Sequence, residues 1–287
     1  MATVRAARAG DKEHILRFTA QTFDWGDYIP EVLDDWILDQ EGRLLVAEED
    51  GRAVAILRLA RPAPGQGWLE GMRVDRAYRK RGLAVLLTEA ATEIARPMGL
   101  SVLRMAINET NVPSVSLATK MGFRPTIGFK SMVSPALPGG RVPGVRRAER
   151  RDVEAVLRMN HDSPSRGLGF SGWVSAMLDE YLLARHVDAG VVFVSKPRTH
   201  EGVEASAFVI DDHADGVEIA NLCGVPDGVR RLLEAGLRRA GEFGFARAYA
   251  TCVRGGSGEA VALAQGWSDD CDSADESGVE FIYEKQI

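Results

Sequence analysis

Glu70-Gly-Met-Arg-Val-Asp-Arg-Ala-Tyr-Arg-Lys-Arg-Gly-Leu-Ala84 is the stretch on which the fold turns. Together with Leu69, its first residues read as the end of a strand, whereas Leu83, Leu86, Leu87, Ala90, Ile94 and Met98 recur at helical spacing. A strand that passes into a helix through a loop carrying Arg79, Arg81 and Gly82 predicts an anion site. At a helix start several backbone N–H groups have no intrahelical acceptor, and the helix dipole adds a partial positive charge. A glycine lets the backbone approach closely, and two guanidinium groups screen a diphosphate.

Working outward, a helix is expected over 11–22 and another around Ile29–Leu38, followed by strands at Leu44–Glu48 and Ala53–Leu59. Asp50-Gly51 joins those strands as a hairpin turn whose glycine accepts positive φ. Downstream come a strand at Val102–Ile107, a helix at Pro113–Met121 and a strand at Phe129–Val133. This order predicts an α/β fold: a mixed, mostly antiparallel central sheet with helices on both faces.

Ser134-Pro-Ala-Leu-Pro-Gly-Gly-Arg-Val-Pro-Gly144 reads as a linker, and the segments on either side of it echo one another. Val4–Phe18 reads VRAARAGDKEHILRF and Val145–Met159 reads VRRAERRDVEAVLRM; each is a short strand, an Asp cap (Asp11, Asp152) and an amphipathic helix. Lys120-Met-Gly-Phe123 is matched by Ala264-Gln-Gly-Trp267, so two correspondences fall at offsets of 141 and 144 residues. A duplicated domain follows, with boundaries at 1–136, a linker at 137–144, and a second copy at 145–287. The second copy should carry strands near Val191–Ser195, Ala205–Val209, Glu218–Leu222, Ala246–Cys252 and Val279–Tyr283. Its helices are expected near Trp173–Arg185, Gly228–Glu242 and Gly258–Ala264.

Composition narrows the function. The 287 residues are 45% apolar and 26% charged, enough for packed cores and no case for disorder. A net charge of −6 repels polyphosphate, which argues against a general nucleic-acid binder. No signal-like or bilayer-spanning apolar run is present, so no membrane partner is expected and the cytoplasm is the predicted location. Cys223, Cys252 and Cys271 lack metal or disulfide spacing and read as inert thiols; no metal site is expected. His14, His161, His186, His200 and His213 read as surface or capping residues, and Arg146, Arg147, Arg150 and Arg151 as a solvated helix start.

Arg79-Lys-Arg-Gly82-Leu-Ala84 resembles the R/Q-x-x-G-x-G/A signature of the GNAT superfamily of acyl-CoA-dependent N-acyltransferases. Asn111, Ser114, Leu117, Lys120, Gly122 and Phe123 resemble the family's downstream N-x-x-A-x-x-L-Y-x-K-x-G-F segment. The resemblance covers about residues 4–133 and, weakly, the second half, so the chain is identified as two tandem GNAT-like domains. It implies acetyl-CoA as the donor, lying where neighbouring parallel strands splay apart. The backbone of Met72, Arg73 and Val74 would bond the pantetheine amides. The amides of Arg79, Lys80, Arg81, Gly82, Leu83 and Ala84 would cradle the pyrophosphate, with Asn111, Ser114 and Lys120 contributing from the next helix.

Acyl transfer to an amine needs a proton acceptor, since a primary amine of pKa about 10 is mostly protonated near neutrality. Glu70 shares strand parity with Met72 and Val74 and is the candidate base; the alternative is a strand-end carboxylate paired with Arg73 or Arg104, or lying in solvent. Where the family often has a Tyr to protonate the departing thiolate, this chain has Ala118; either Tyr78, Tyr28 or water substitutes, or protonation is unimportant because a thiol of pKa about 8.5 leaves readily. Phe23–Pro30, with Trp25, Asp27 and Tyr28, falls where the family binds its acceptor, and also looks similar to histidine N-acetyltransferase-like members. The second half has Pro226 and Asp227 in place of the phosphate loop, and Gly255 and Gly258 opposite Asn111 and Ser114, so it reads as a degenerate copy. The expected activity is acetyl transfer to a small-molecule or peptide amine in a ternary complex, by a monomer or homodimer. A CoA-binding sensor or scaffold, or a user of longer acyl-CoA, are the alternatives.

Overall fold

The computed structural model describes residues 2–20, 22, 26–196, 202–213, 216–270 and 278–287. In chain order the first elements are β1 (Thr3–Ala6), α1 (Lys12–Thr19), α2 (Ile29–Leu38), β2 (Arg43–Glu49), β3 (Arg52–Ala63), β4 (Gln66–Val74), α3 (Leu83–Ala95), β5 (Val102–Asn108) and α4 (Val112–Lys120). There follow β6 (Arg124–Pro135), β7 (Val145–Arg147), α5 (Val153–Asp162), β8 (Leu168–Ser171), β9 (Val174–Met177), α6 (Glu180–Asp188) and β10 (Val192–Ser195). The last are β11 (Ala205–His213), β12 (Gly216–Gly224), α7 (Pro226–Glu242), β13 (Arg247–Val253), α8 (Ser257–Ala264), β14 (Ser268–Asp269) and β15 (Val279–Gln286). The class is α/β, mixed and mostly antiparallel, in two units.

Unit 1 comprises 1–107, 111–124 and 283–287, and unit 2 comprises 108–110 and 125–282. The units therefore interleave: β6, from the first half of the sequence, lies almost wholly in unit 2, while the end of β15 belongs to unit 1. In unit 1, β1, β2, β3 and β4 are successive antiparallel neighbours and β5 runs parallel to β4. The β2–β3 turn places Asp50 at φ 51° and Gly51 at φ 74°, the doubly left-handed geometry expected of Asp-Gly in a tight hairpin. One face of this sheet carries Leu44, Val46, Ala53 and Ile56 against Ile15, Phe18, Ile29, Leu33 and Trp36 of α1 and α2. The alternate residues Leu45, Ala47 and Leu57 are also buried, and α3 packs on β2, β3 and β4. The tail of β15 is tied in by Arg104 Nε to Glu284 at 2.7 Å and by Ile287 N donating to the Ser101 carbonyl at 2.9 Å.

Unit 2 orders its strands β6, β13, β12, β11, β10, β7, with β12 and β13 parallel. Its core joins Ile219, Val229, Leu232, Leu233, Ala248 and Ala250 of α7 and the sheet with Trp267, which lies between α8 and β14. The duplication is visible atom by atom. Nη1 and Nη2 of Arg5 both donate to Asp11 while Arg8 N donates to the same carboxylate; Arg146, Asp152 and Glu149 N repeat this set. Neither aspartate caps its α-helix in the way the sequence predicts; each instead closes the preceding 3-10 turn and clamps an arginine. Arg146 is accordingly engaged and not merely part of a solvated helix start.

Two further expectations are corrected. The helix expected over Trp173–Arg185 is in part a hairpin, β8–β9, turning at Gly172 (φ 56°) and Trp173, and α6 begins only at Glu180, capped by Asp179. His186 is half-buried against Phe208, with ring centroids 5.0 Å apart, and burial lowers its pKa; His14 has a buried Nδ1. His200, the side chain of His213, and Cys271 lie outside the described residues.

Candidate active site

The loop after β4 is built by its own short-range bonds. Asp75 accepts from Ala77 N at 2.9 Å and fixes a 3-10 turn over Arg76–Tyr78. Lys80 and Gly82 then adopt left-handed backbone (φ 63° and 80°), and α3 starts at Leu83. Such alternation turns successive amides toward one concavity. Among the described residues no backbone carbonyl accepts from the N–H groups of Arg81 to Val85; Leu86 is the first to bond back, to Gly82 O at 3.0 Å. Arg79, Lys80, Arg81 and Gly82 are exposed, with Arg81 stacked 4.8 Å from the Tyr78 ring centroid and 3.3 Å from Glu49. Open amides, two left-handed residues and three cations fit a diphosphate.

Just before this loop, β4 parts from β5. The parallel strands pair only at Gln66–Trp68 with Val102–Arg104, so the β5-facing edge of Leu69–Val74 has no ladder partner on β5 among the described residues. Its backbone amides and carbonyls fit an extended chain that carries amides of its own.

The same segment holds a bulge, which overturns the simple alternation expected for Glu70. Opposite β3 the register steps from Arg58↔Glu70 to Ile56↔Arg73, three residues against two, and Gly71 sits at φ 67°. Glu70 therefore shares a face with Arg73 and not with Met72 and Val74. Gly71 is required there: a Cβ would come within 2.5 Å of the Trp36 ring.

Glu70 is paired neither with Arg73 nor with Arg104. Arg58 Nη1 lies 2.8 Å from Glu70 Oε1, Arg58 Nη2 lies 2.8 Å from Asp39 Oδ2, and the guanidinium carbon stacks 4.9 Å from the Trp36 ring centroid. Burial pushes the Glu70 carboxyl up, and Arg58 only partly opposes it. Arg73 forms a two-pronged bond to Asp27, at 2.7 and 3.1 Å, and sits 5.4 Å from the Tyr28 ring centroid. The Asp27 side chain is only 1% exposed and also accepts from Ile29 N, so it is engaged in fixing α2 and Arg73. Tyr28 meets Trp36 edge-on at 6.0 Å; burial raises its phenol pKa, though its outer face is open to solvent. Trp25 lies outside the described residues.

Asn111 caps α4 by accepting from Ser114 N at 3.2 Å; Ser114 is half-buried and Lys120 exposed at the far end of the helix. The equivalent cap of α8 is Gly256, one residue beyond the sequence match, and it makes no side-chain bond. Ala118 is 1% exposed.

Sequence reading missed Arg58, Asp39 and the role of Trp36. A lone arginine within the apolar run Ala53–Ala60 was the available signal, since an unpaired charge is rarely buried there.

Residues 12–123 match the Acetyltransferase (GNAT) family. No curated protein matches the chain in sequence. A GCN5-related N-acetyltransferase from Sphaerobacter thermophilus aligns over 99% of this chain and 95% of its own, at 15% identity and a TM-score of 0.68. A tandem GNAT protein from the clavulanic acid biosynthesis pathway aligns over 100% and 98%, at 14% identity and 0.60. A GCN5-related N-acetyltransferase from Kribbella flavida aligns over 100% and 71%, at 15% and 0.55. At these identities the likeness is one of fold. The chain thus carries a tandem GNAT fold whose segment 12–123 matches the GNAT acetyltransferases, a family of acyl transfer from acyl-CoA.

Proposed function

We propose that this protein transfers an acyl group, acetyl by family default, from acyl-CoA to an amine by direct attack, with Glu70 accepting the amine proton. The observation that carries the reading is a carboxyl whose pKa burial has raised, on the strand segment that parts from β5 and leads into the open-amide loop. In the reaction the amine nitrogen forms a bond to the thioester carbonyl carbon, the C–S bond breaks, and the thiolate takes up a proton. The loop from Arg79 to Ala84 would hold the diphosphate and the edge at Met72, Arg73 and Val74 the pantetheine. Asn111 and Ser114 shape the start of α4, and Tyr28 faces the acceptor. We take the domains as 1–136 and 145–287, joined by 137–144, with the second copy lacking a donor site.

Glu70→Gln should lower kcat by roughly 100- to 10,000-fold and erase the acid limb of its pH profile. Calorimetry should show acyl-CoA binding retained. Wild-type turnover with an intact limb would reject the role. Ala118 favours a second reading, a CoA-binding sensor, which predicts tight CoA binding with no thiol release for any amine.

A further inference from the structure

We infer that Arg58, shared between Glu70 and Asp39, is a positioning residue for proton transfer at Glu70, and that Asp39 acts through it by holding part of the guanidinium charge away. This rests on Glu70 being the base. One guanidinium serves two carboxylates at equal distances of 2.8 Å, while Arg58 Nε is buried without a partner. Asp39 is itself fixed, its Oδ1 accepting from Glu41 N at 2.9 Å and Gly42 N at 3.0 Å. Burial raises the Asp39 carboxyl, but Arg58 and those two amides outweigh it and hold Asp39 low, so it remains an anion where Glu70 titrates. An arginine facing one carboxylate alone would favour its charged form strongly and leave it a weak base.

The molecule contains its own control. An offset of 150 residues relates β4 to β12, and unit 2 repeats the bulge: Phe208↔Ala220 and Ser206↔Cys223 bracket Asn221 at φ 54°. At that offset Trp36, Asp39, Arg58, Glu70 and Arg73 become His186, Ala189, Phe208, Ala220 and Cys223. Phe208 stacks on His186 much as Arg58 stacks on Trp36. The fold thus closes this bulge without the ion pairs, so the ionic set in unit 1 is not a requirement of the architecture.

Among the described residues, the charged and titratable groups around Glu70 are Arg58 from β3, Asp39 from the turn after α2, Asp27 and Tyr28 at the start of α2, and Arg73 from β4 itself. Asp27 and Arg73 are paired with each other, and among the described residues Asp39 and Arg58 are the opposing influences that touch Glu70's own network. Removing the Asp39 charge frees Arg58 for Glu70 and removes a nearby anion; both effects lower the Glu70 pKa. Removing the Arg58 charge raises it.

The test is a carbon-13 NMR titration of the Glu70 carboxyl, with the pH profile of kcat alongside. Asp39→Asn should move the midpoint down by about 0.5–1 unit and Arg58→Gln should move it up by a similar amount. Opposite shifts are what a general loosening of the site would not produce. An unmoved midpoint in Asp39→Asn, or shifts of one sign, would overturn the inference; should Arg58→Gln fail to fold, Asp39→Asn decides alone. An acid limb that survives Glu70→Gln would remove the base assignment while leaving the NMR shifts standing, so the two failures are told apart.

Discussion

The bulge of β4 and the bulge of β12 share a register and differ in what they hold. At the first, Gly71 gives way to the Trp36 ring, and charged residues gather beside it. At the second, Asn221 takes the same left-handed backbone and uses its amide to accept from Phe170 N at 2.7 Å and donate to Phe170 O at 2.8 Å. That side chain imitates a strand partner and pins the β8–β9 hairpin. The continuations differ too: β4 leads into seven residues of turn and loop, all but Asp75 and Tyr78 exposed, before the α3 cap, whereas β12 passes through Val225 directly into Pro226 of α7. Where α3 offers open amides, α7 opens with Asp227, which pairs with Arg231, itself bonded to Ser195 and Glu204. One architecture thus supports both a polar, open site and a closed apolar one, and side-chain choice at a few aligned positions decides which.

Phe208→Arg should break this comparison most severely. Its site is 1% exposed and has no carboxylate opposite, so urea denaturation should report a loss of about 4 kcal/mol or more. Adding Ala220→Glu to that variant should return about 1–3 kcal/mol through a cross-strand pair that copies Arg58–Glu70. No recovery would mean that the turn at Asp39, and not the pair alone, makes the charges tolerable. Gly71→Ala comes next: a methyl driven into the Trp36 ring at φ 67° should cost about 2–4 kcal/mol in the same assay. A neutral result would show that Trp36 yields freely.

The smallest effects concern what the units share. Asp11→Asn and Asp152→Asn should each cost about 1–3 kcal/mol, since each carboxylate bonds an arginine and a backbone amide. At Asp11 burial alone would raise the pKa, but the bonds from Arg5 and Arg8 N reverse it; at Asp152 the Arg146 bond dominates. Both folded-state values are therefore depressed. Their stabilisation is fully present above the unfolded-state value of about 3.9 and disappears as pH falls through the folded values. The wild type's advantage over each variant should shrink in acid, by similar amounts for the two; unequal losses would separate the units after all.

The strand–loop–helix geometry at 74–83 was legible because its determinants are local: a turn capped by Asp75, a glycine at a left-handed position and a helix start all lie within ten residues. The repeat was legible for the same reason, as Arg5–Asp11 and Arg146–Asp152 are near neighbours in sequence. What escaped depends on distant partners. The bulge at Gly71 shows itself only against β3, so strict alternation put Glu70 on the wrong face. The helix expected over Trp173–Arg185 yields in its first part to Gly172 and the β8–β9 pairing, which impose a hairpin. Arg58 joins groups that lie 12 and 19 residues away in sequence, beyond any local period.

The interleaving of the units bears on how this molecule comes to exist during translation. Residues 283–287, which complete the unit bearing Glu70, leave the ribosome only after every residue of unit 2 has been made. Closing that unit demands contacts of very high sequence separation, which are slow to form. A nascent chain therefore holds the Glu70-bearing unit unfinished until synthesis has passed both copies, so a ribosome stalled before residue 283 would display that unit unclosed.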